Sequence, residues 1–337
     1  MGRRSLALLT ILTAGAAIAS LTAVLVAGQA PAATKPKTTA AAKTTAWTPP
    51  RTPWGEPDLQ GIWNNASSTP LGIPDDGTAV FTEDEDIREQ GTDTGTYNSF
   101  WGDRGKGTDR KWLLVDPPDG KIPPLTLEAK KREAARLAVR RQRGSADSYL
   151  DRNRWERCLA RGLPMAPGPY NNNYQILQTP GQVVILMEMV HDTRIIPLDG
   201  RPHSSSNIRT WLGDSRGHWD GSTLVVDTIN FNDKLDGGVY MPGHRGALFT
   251  QRGSGETLHV VERFTRVGAD TINYEFTMDD PQTYTKPWTV LVPMAKTDDQ
   301  IYEYACHEGN YALADILRGA RVQEKKAAEE AQQKSSK

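Results

Sequence analysis

A single carboxylate interrupts an apolar run in the middle of this chain. Glu188 is the only charged residue between Val183 and Val190, and a strand this apolar is usually buried on both faces. Burying a carboxylate is costly unless a cation or hydrogen-bond donors meet it. Glu188 is therefore either a structural partner, with Arg194 the nearest candidate cation, or an ionisable group kept in a dry cavity for proton transfer.

Histidines and further carboxylates stand near the ends of predicted strands. His203 follows Asp199 and Arg201, and it is either a loop histidine or part of the mouth of a barrel. His307 and Glu308 precede a predicted helix, where a carboxylate is favourable on electrostatic grounds alone. The alternative is that both side chains point into the same mouth, where they could transfer protons.

The segment from Leu258 to Phe264 contains three ionisable side chains in one predicted strand. Strand alternation places His259 and Arg263 on one face and Glu262 on the other. We expect Glu262 to point inward, and a cross-strand ion pair is its structural alternative.

General acid/base chemistry is what these residue types support best. The predicted catalytic residues are Glu188, Arg194, His203, Glu262, His307 and Glu308. This chemistry requires no cofactor. A divalent metal ion could be held by His191, His203, His307 and a carboxylate, although their spacing matches no known ligand motif. The sequence also lacks the motifs of serine hydrolases, zinc fingers, P-loops and dinucleotide-binding folds.

Turn residues between short apolar segments predict a mainly β fold. The predicted strands are Val183–Met189, Arg194–Leu198, Arg216–Trp219, Thr223–Asn230, Leu258–Arg266, Thr271–Met278, Trp288–Met294 and Ile301–Cys306. Short polar turns, such as Asp220-Gly221, connect several of them and indicate an antiparallel meander. So many strands with apolar faces need closure or a cover. We therefore expect a lipocalin-like barrel or a strongly curved sheet, with a few peripheral helices.

Two helices are predicted at the periphery of this sheet. Thr126 is a suitable N-cap for a helix over Leu127–Gln142, and a second helix should run from Asn310 until Gly319 ends it. The first helix is strongly basic. The chain as a whole has a net charge of -1 at pH 7 and no nucleic-acid motif, so we expect a solvated helix face and no nucleic-acid partner.

The composition divides the chain into four parts. Residues 1–30 have the charged start, apolar stretch and small residues of a signal peptide, and an uncleaved membrane anchor is the alternative. Residues 31–53 should be a disordered linker. Residues 54–320 form one predicted β-rich domain, irregular or helical over 54–168, a β-meander over 169–306 and helical over 307–320. Residues 321–337 are a charged tail.

The chain has two cysteines, Cys158 and Cys306. An exported protein permits a disulfide between them, and closing so long a loop contributes about 4–5 kcal/mol in the chain-entropy model. Two buried free thiols are the alternative. We expect the disulfide and an exported location, either periplasmic, secreted or in the cell envelope.

Six longer segments carry a resemblance: Gly168–Ile176, Ile196–His203, Trp219–Thr228, Leu258–Phe264, Cys306–Tyr311 and the opening segment Pro57–Trp63. Together they resemble a family of uncharacterised exported bacterial proteins. The triplet Gly61-Ile62-Trp63 also resembles the Gly-x-Trp of the first strand in lipocalin-like barrels. The family resemblance implies export and a β-rich fold, and it implies no catalytic residue.

Two functions follow as hypotheses. The first is an acid/base enzyme, a hydrolase or lyase acting on a small polar organic molecule such as a sugar derivative or a phenolic. The second is a non-catalytic binding protein with a lipocalin-like pocket. A cell-envelope scaffold is a third. An enzyme should bring three or more ionisable side chains together, with a carboxylate and a histidine in hydrogen-bond contact. The expected partner is a small molecule, and the sequence leaves the oligomeric state open.

Overall fold

The structure is a computed structural model that describes residues 47–73, 105–144, 146–152, 154, 156–168, 170–232, 234 and 255–336. The predicted signal peptide and most of the predicted linker lie outside these residues. The end of that linker is held to the domain, because Thr52 is buried and its backbone N–H donates to Glu56 O at 2.8 Å. The domain therefore begins a few residues before the predicted position.

The domain is built on one ten-stranded antiparallel sheet. The strands are β1 Gly61–Asn64, β2 Leu114–Asp116, β3 Asn173–Thr179, β4 Gln182–Met187, β5 Thr193–Pro197, β6 Asp214–Asp220, β7 Thr223–Ile229, β8 His259–Gly268, β9 Thr271–Asp279 and β10 Trp288–Thr297. Their order is β5-β4-β3-β1-β10-β9-β8-β7-β6, with β2 paired to β10. The predicted meander is thus confirmed, with β1 from the N-terminal part inserted between β3 and β10.

The sheet curves so strongly that its two terminal strands approach each other. Arg194 on β5 donates a hydrogen bond to Ser215 on β6 at 3.2 Å. A Cβ added to Gly217 on β6 would lie 2.7 Å from Leu198 and 2.9 Å from Ile196, so the glycine permits this close approach. No strand pairing joins β5 to β6 in the described part of the chain. The sheet is strongly curved and not closed, so the predicted barrel is not confirmed.

Alternation along the strands gives the sheet an inner and an outer face. On β8, Val260, Glu262 and Phe264 are fully buried, while His259 and Arg263 lie on the outer face. Large aromatic side chains fill the inside, including Trp63, Tyr174, Phe264, Tyr274, Phe276 and Trp288. Period-two alternation therefore fixes which ionisable groups are enclosed and which meet solvent.

Two α-helices flank the sheet. Helix α1, Leu127–Gln142, has the predicted bounds, and the Thr126 side chain caps it by accepting from Ala129 N at 3.1 Å. Helix α2, Tyr311–Ser335, does not end at Gly319 as predicted. The alanine, glutamate, lysine and glutamine residues that follow favour helix strongly enough to offset about 1 kcal/mol for an interior glycine. No helix within the described ranges has the length and apolar character needed to cross a membrane.

Two predicted details of the meander are wrong. The turn between β6 and β7 is Gly221-Ser222, because Asp220 pairs with Thr223, and Gly221 supplies the positive φ of 60°. Residues 301–306 form no strand. Their Tyr-Glu-Tyr alternation offers no apolar face for the sheet, and Tyr302 is 72% exposed.

Candidate functional site

An ion pair lies inside the curved sheet. Arg194 donates from Nη1 and Nη2 to the two carboxylate oxygens of Glu262, at 3.0 and 2.5 Å. The Tyr274 hydroxyl donates to Glu262 Oε1 at 2.7 Å and accepts from Met165 N at 3.0 Å. Arg194 and Glu262 are 3% and 0% exposed. Two predicted site residues thus meet, in a place closed to solvent.

Glu188 does not pair with Arg194, its nearest candidate cation in the sequence. The β4–β5 register places Arg194 opposite Ile185, and Glu188 lies beyond the end of β4. Its carboxylate accepts from Asn173 Nδ2 at 2.9 Å and from Asn173 N at 3.4 Å. Hydrogen bonds from Asn173, rather than an ion pair with Arg194, therefore stabilise the buried Glu188 carboxylate.

The outer face of β6, β7 and β8 carries a chain of alternating carboxylates and imidazoles. His203 Nδ1 lies 2.9 Å from Asp214 Oδ2, and His203 Nε2 lies 2.8 Å from Asp227 Oδ1. The second oxygen of Asp227, Oδ2, lies 2.6 Å from His259 Nε2. The order Asp214–His203–Asp227–His259 links four side chains, which we call the Asp–His chain.

Strand register and one loop place these groups together. Asp227 on β7 stands opposite Arg216 on β6, and both point outward by alternation. The loop between β5 and β6 brings His203 over them, since Ser204 N donates to Asp214 Oδ2 at 2.8 Å and Asn230 Nδ2 donates to Ser204 O at 2.9 Å. Arg216 holds the other Asp214 oxygen at 2.8 Å.

The hydrogen bonds of the Asp–His chain favour the protonated form of His259. The hydrogen bond to Asp227 raises the pKa of His259 above its usual value, against a smaller opposing effect of burial. The hydrogen bond from His259 lowers the pKa of Asp227. Both nitrogens of His203 lie within hydrogen-bond distance of carboxylates. Asp227 thus lies between two imidazoles that stabilise its negative charge.

One ring nitrogen of the Asp–His chain makes no hydrogen bond with the described residues. Nδ1 of His259 has no hydrogen-bond partner among the residues that the structure describes, and the side chain is 35% exposed. When His259 is neutral, a hydrogen bond from Nε2 to Asp227 fixes its tautomer and leaves Nδ1 available as a base. The arrangement can therefore accept a proton from, and return it to, a molecule on the outer face.

The remaining predicted residues lie elsewhere. His307 and Glu308 are exposed and follow Cys306, whose disulfide to Cys158 has an S–S distance of 1.98 Å. The ring of His307 lies 6.5 Å from that of His191. The disulfide is as predicted, and it is consistent with an oxidising, exported location.

The predicted metal set is not assembled. Both nitrogens of His203 are occupied by carboxylates, and no group of ligands suitable for a metal ion occurs within the described ranges. Comparison of the chain with family models, curated proteins and solved structures finds no match.

Sequence reasoning missed Asp214 and Asp227, and it placed His259 at the surface without a role. The signal was available in part. A two-residue turn fixes the β6–β7 register and places Arg216 opposite Asp227. The position of His203 over these strands depends on a loop whose path no sequence pattern gives.

Proposed function

We propose that the protein is an acid/base enzyme, a hydrolase or lyase, whose reactive group is Nδ1 of His259. The observation that carries the proposal is the 2.6 Å hydrogen bond between His259 Nε2 and Asp227 Oδ2, in a side chain that is 35% exposed and whose Nδ1 has no hydrogen-bond partner among the described residues. The hydrogen bond to Asp227 raises the pKa of His259, and a general base is most effective when its pKa lies near the working pH.

Each residue of the Asp–His chain has a distinct role in this proposal. Nδ1 of His259 removes a proton from a water molecule or from a substrate O–H or C–H group, and it later returns that proton to the leaving group. Asp227 stabilises the imidazolium that forms. His203, fixed by Asp214, is a positioning residue that holds Asp227 in place.

The proposed substrate is a small molecule whose reaction requires proton transfer and no covalent nucleophile. The mechanism needs no serine or cysteine nucleophile, which is in keeping with a small polar organic substrate such as a sugar derivative or a phenolic. The alternative, a lipocalin-like binding protein, requires an interior pocket. It has less support, because fully buried aromatic side chains such as Trp63 and Phe276 occupy the inside of the sheet.

We further propose that the protein is exported, since a disulfide persists in oxidising compartments. The apolar segment Leu6–Ala27 would then be a cleaved signal. Mass spectrometry of the exported protein should find an N-terminus near Pro31. An intact N-terminus in the membrane fraction would instead support an anchor.

The acid/base proposal is tested by turnover of a panel of neutral nitrophenyl esters and glycosides. His259→Gln should lower the rate about 100-fold or more, the usual scale for a general acid/base group, and should leave the melting temperature at pH 8 nearly unchanged. The matched control is His218→Gln, which removes an exposed histidine from the outer face of the neighbouring strand β6. Equal rates for His259→Gln and wild type, or no turnover of any panel member, would count against the proposal.

A further inference from the structure

Helix α1 presents one side to the domain and the opposite side to solvent. Ala129 is 3% exposed, and Arg132 Nη2 donates to Gln282 O at 3.0 Å and to the Thr283 hydroxyl at 3.3 Å. Leu127 lies across the helix from Ala129, because two residues advance by about 200°, and it is 78% exposed. The side of α1 that includes Leu127 therefore faces solvent.

This solvent side is cationic and partly apolar. Six exposed residues share an arc of about 100° on the helix, at about 3.6 residues per turn. We call them the α1 face, and they are Leu127, Lys130, Lys131, Ala134, Ala138 and Arg141. The two glutamates of the helix, Glu128 and Glu133, fall outside that arc. The α1 face thus places three cations among three apolar side chains.

The three cations are not neutralised by neighbouring carboxylates. Arg143, just beyond the helix, is paired with two aspartates at 3.8 and 3.0 Å. Lys130, Lys131 and Arg141 form no ion pair with any residue that the structure describes. Their positive charge is therefore available to an anionic partner.

Helix α2 shows that exposure alone does not produce such a face. Residues 321–336 are all exposed, yet acids and bases alternate there. Arg321 is paired with Glu324, and Lys325 lies 4.0 Å from Glu329. The charges of α2 therefore compensate one another along the helix, unlike those of the α1 face.

Charge and apolar surface together select the partner. The α1 face extends about 21 Å from Leu127 to Arg141, at about 1.5 Å per residue, which is long enough to meet several lipid headgroups. Helices that lie in a membrane interface combine Lys or Arg with Leu on the side that enters the headgroup boundary. A polynucleotide would pair with the lysines and leave Leu127 against phosphates, so it fits less well.

We propose that the α1 face binds the surface of anionic lipid bilayers. Lys130, Lys131 and Arg141 contact headgroup phosphates, and Leu127 enters the boundary between headgroups and acyl chains. The helix lies on the membrane and does not cross it. The α1 face shares no residue with the Asp–His chain, so the proposal does not depend on acid/base catalysis by His259.

The experiment is co-sedimentation of the exported protein with two kinds of vesicle, phosphatidylcholine alone and phosphatidylcholine mixed with phosphatidylglycerol. Wild type should bind only the anionic vesicles. Lys130→Glu combined with Lys131→Glu should weaken binding about 30-fold or more, because each cation near an anionic surface contributes about tenfold or slightly less. Leu127→Gln should weaken it about threefold or more. Binding should fall as NaCl rises from about 50 to about 500 mM.

The matched control is Lys325→Glu combined with Lys326→Glu. It reverses two adjacent lysines on the other exposed helix and changes the net charge by the same amount, so it should bind nearly as wild type does. All variants keep the same N-terminus, which therefore cannot account for a difference between them. The proposal is overturned if wild type binds neither kind of vesicle, if it binds both equally, or if the two double variants lose binding equally. Binding of wild type to duplex DNA but not to anionic vesicles would also overturn it.

Discussion

Replacing Glu262 by glutamine should destabilise the protein more than any surface substitution. The change removes the counter-charge of Arg194 without changing the volume of the side chain. Arg194 is 3% exposed and bonded to both oxygens of Glu262, so the substitution leaves a cation in a dry interior. Breaking a buried pair in this way costs about 3–5 kcal/mol.

The loss of stability in Glu262→Gln should come from burying Arg194 without a counter-charge, rather than from losing the attraction between the two side chains. Arg194→Met combined with Glu262→Gln should therefore recover much of the stability that Glu262→Gln loses, because no buried charge remains. The matched control is Asp220→Asn, which breaks the exposed pair between Arg263 and Asp220 at 2.9 Å. Such a surface pair contributes about 0–1 kcal/mol to the free energy of unfolding.

Urea unfolding followed by circular dichroism measures these differences. With an m-value of about 2–3 kcal/mol/M, Glu262→Gln should lower the midpoint by about 1–2 M, and Asp220→Asn should leave it nearly unchanged. If Glu262→Gln unfolds at the same urea concentration as Asp220→Asn, the ion pair is not the buried structural unit described above.

Three further predictions concern the disulfide, the sheet and pH. Thiol titration of unfolded, unreduced protein should find no free cysteine, and reduction should lower the unfolding free energy by up to about 4–5 kcal/mol; two free thiols would contradict this. Gly217→Val should lower the unfolding free energy by about 1–3 kcal/mol in the same urea assay, because the new Cβ would lie 2.7 Å from Leu198. The control is Gly200→Val. Its Cβ would meet no atom within 4 Å, so it measures only the cost of a positive φ. The stability that His259 contributes is fully present below its unfolded pKa of about 6.5 and is lost as pH rises through its higher folded value. The difference in unfolding free energy between wild type and His259→Gln should therefore shrink from pH 6 to pH 8. A difference that stays constant would show that folding does not raise the pKa of His259.

The strands were predictable because alternation and turn residues are local. The β8–β9 hairpin and helix α1 have nearly their predicted bounds, and alternation places Glu262 inside. Local patterns do not specify curvature. It is the curvature of the sheet that brings Arg194 on β5 to Glu262 on β8 across the interior, so the nearest charge in the sequence, Glu188, was the wrong partner.

The candidate site was less predictable for the same reason. His203 was chosen as a histidine near a strand end, and the structure places it in the Asp–His chain. Its partners Asp214 and Asp227 come from strands β6 and β7 and meet it only because a loop folds over their outer face. The sequence pattern places the predicted ionisable groups at the mouth or inside of a barrel, whereas His259 lies on the outer face of the sheet.

In the proposed site, the Asp227 carboxylate raises the pKa of the base, His259. NMR titration of the His259 ring protons in wild type and in Asp227→Asn tests it most directly and needs no substrate. The pKa of His259 should lie above 6.5 in wild type and fall in Asp227→Asn, because the hydrogen bond to the Asp227 carboxylate is the largest cause of the raised value. Identical titration of His259 in the two proteins would show that Asp227 does not set the pKa of His259.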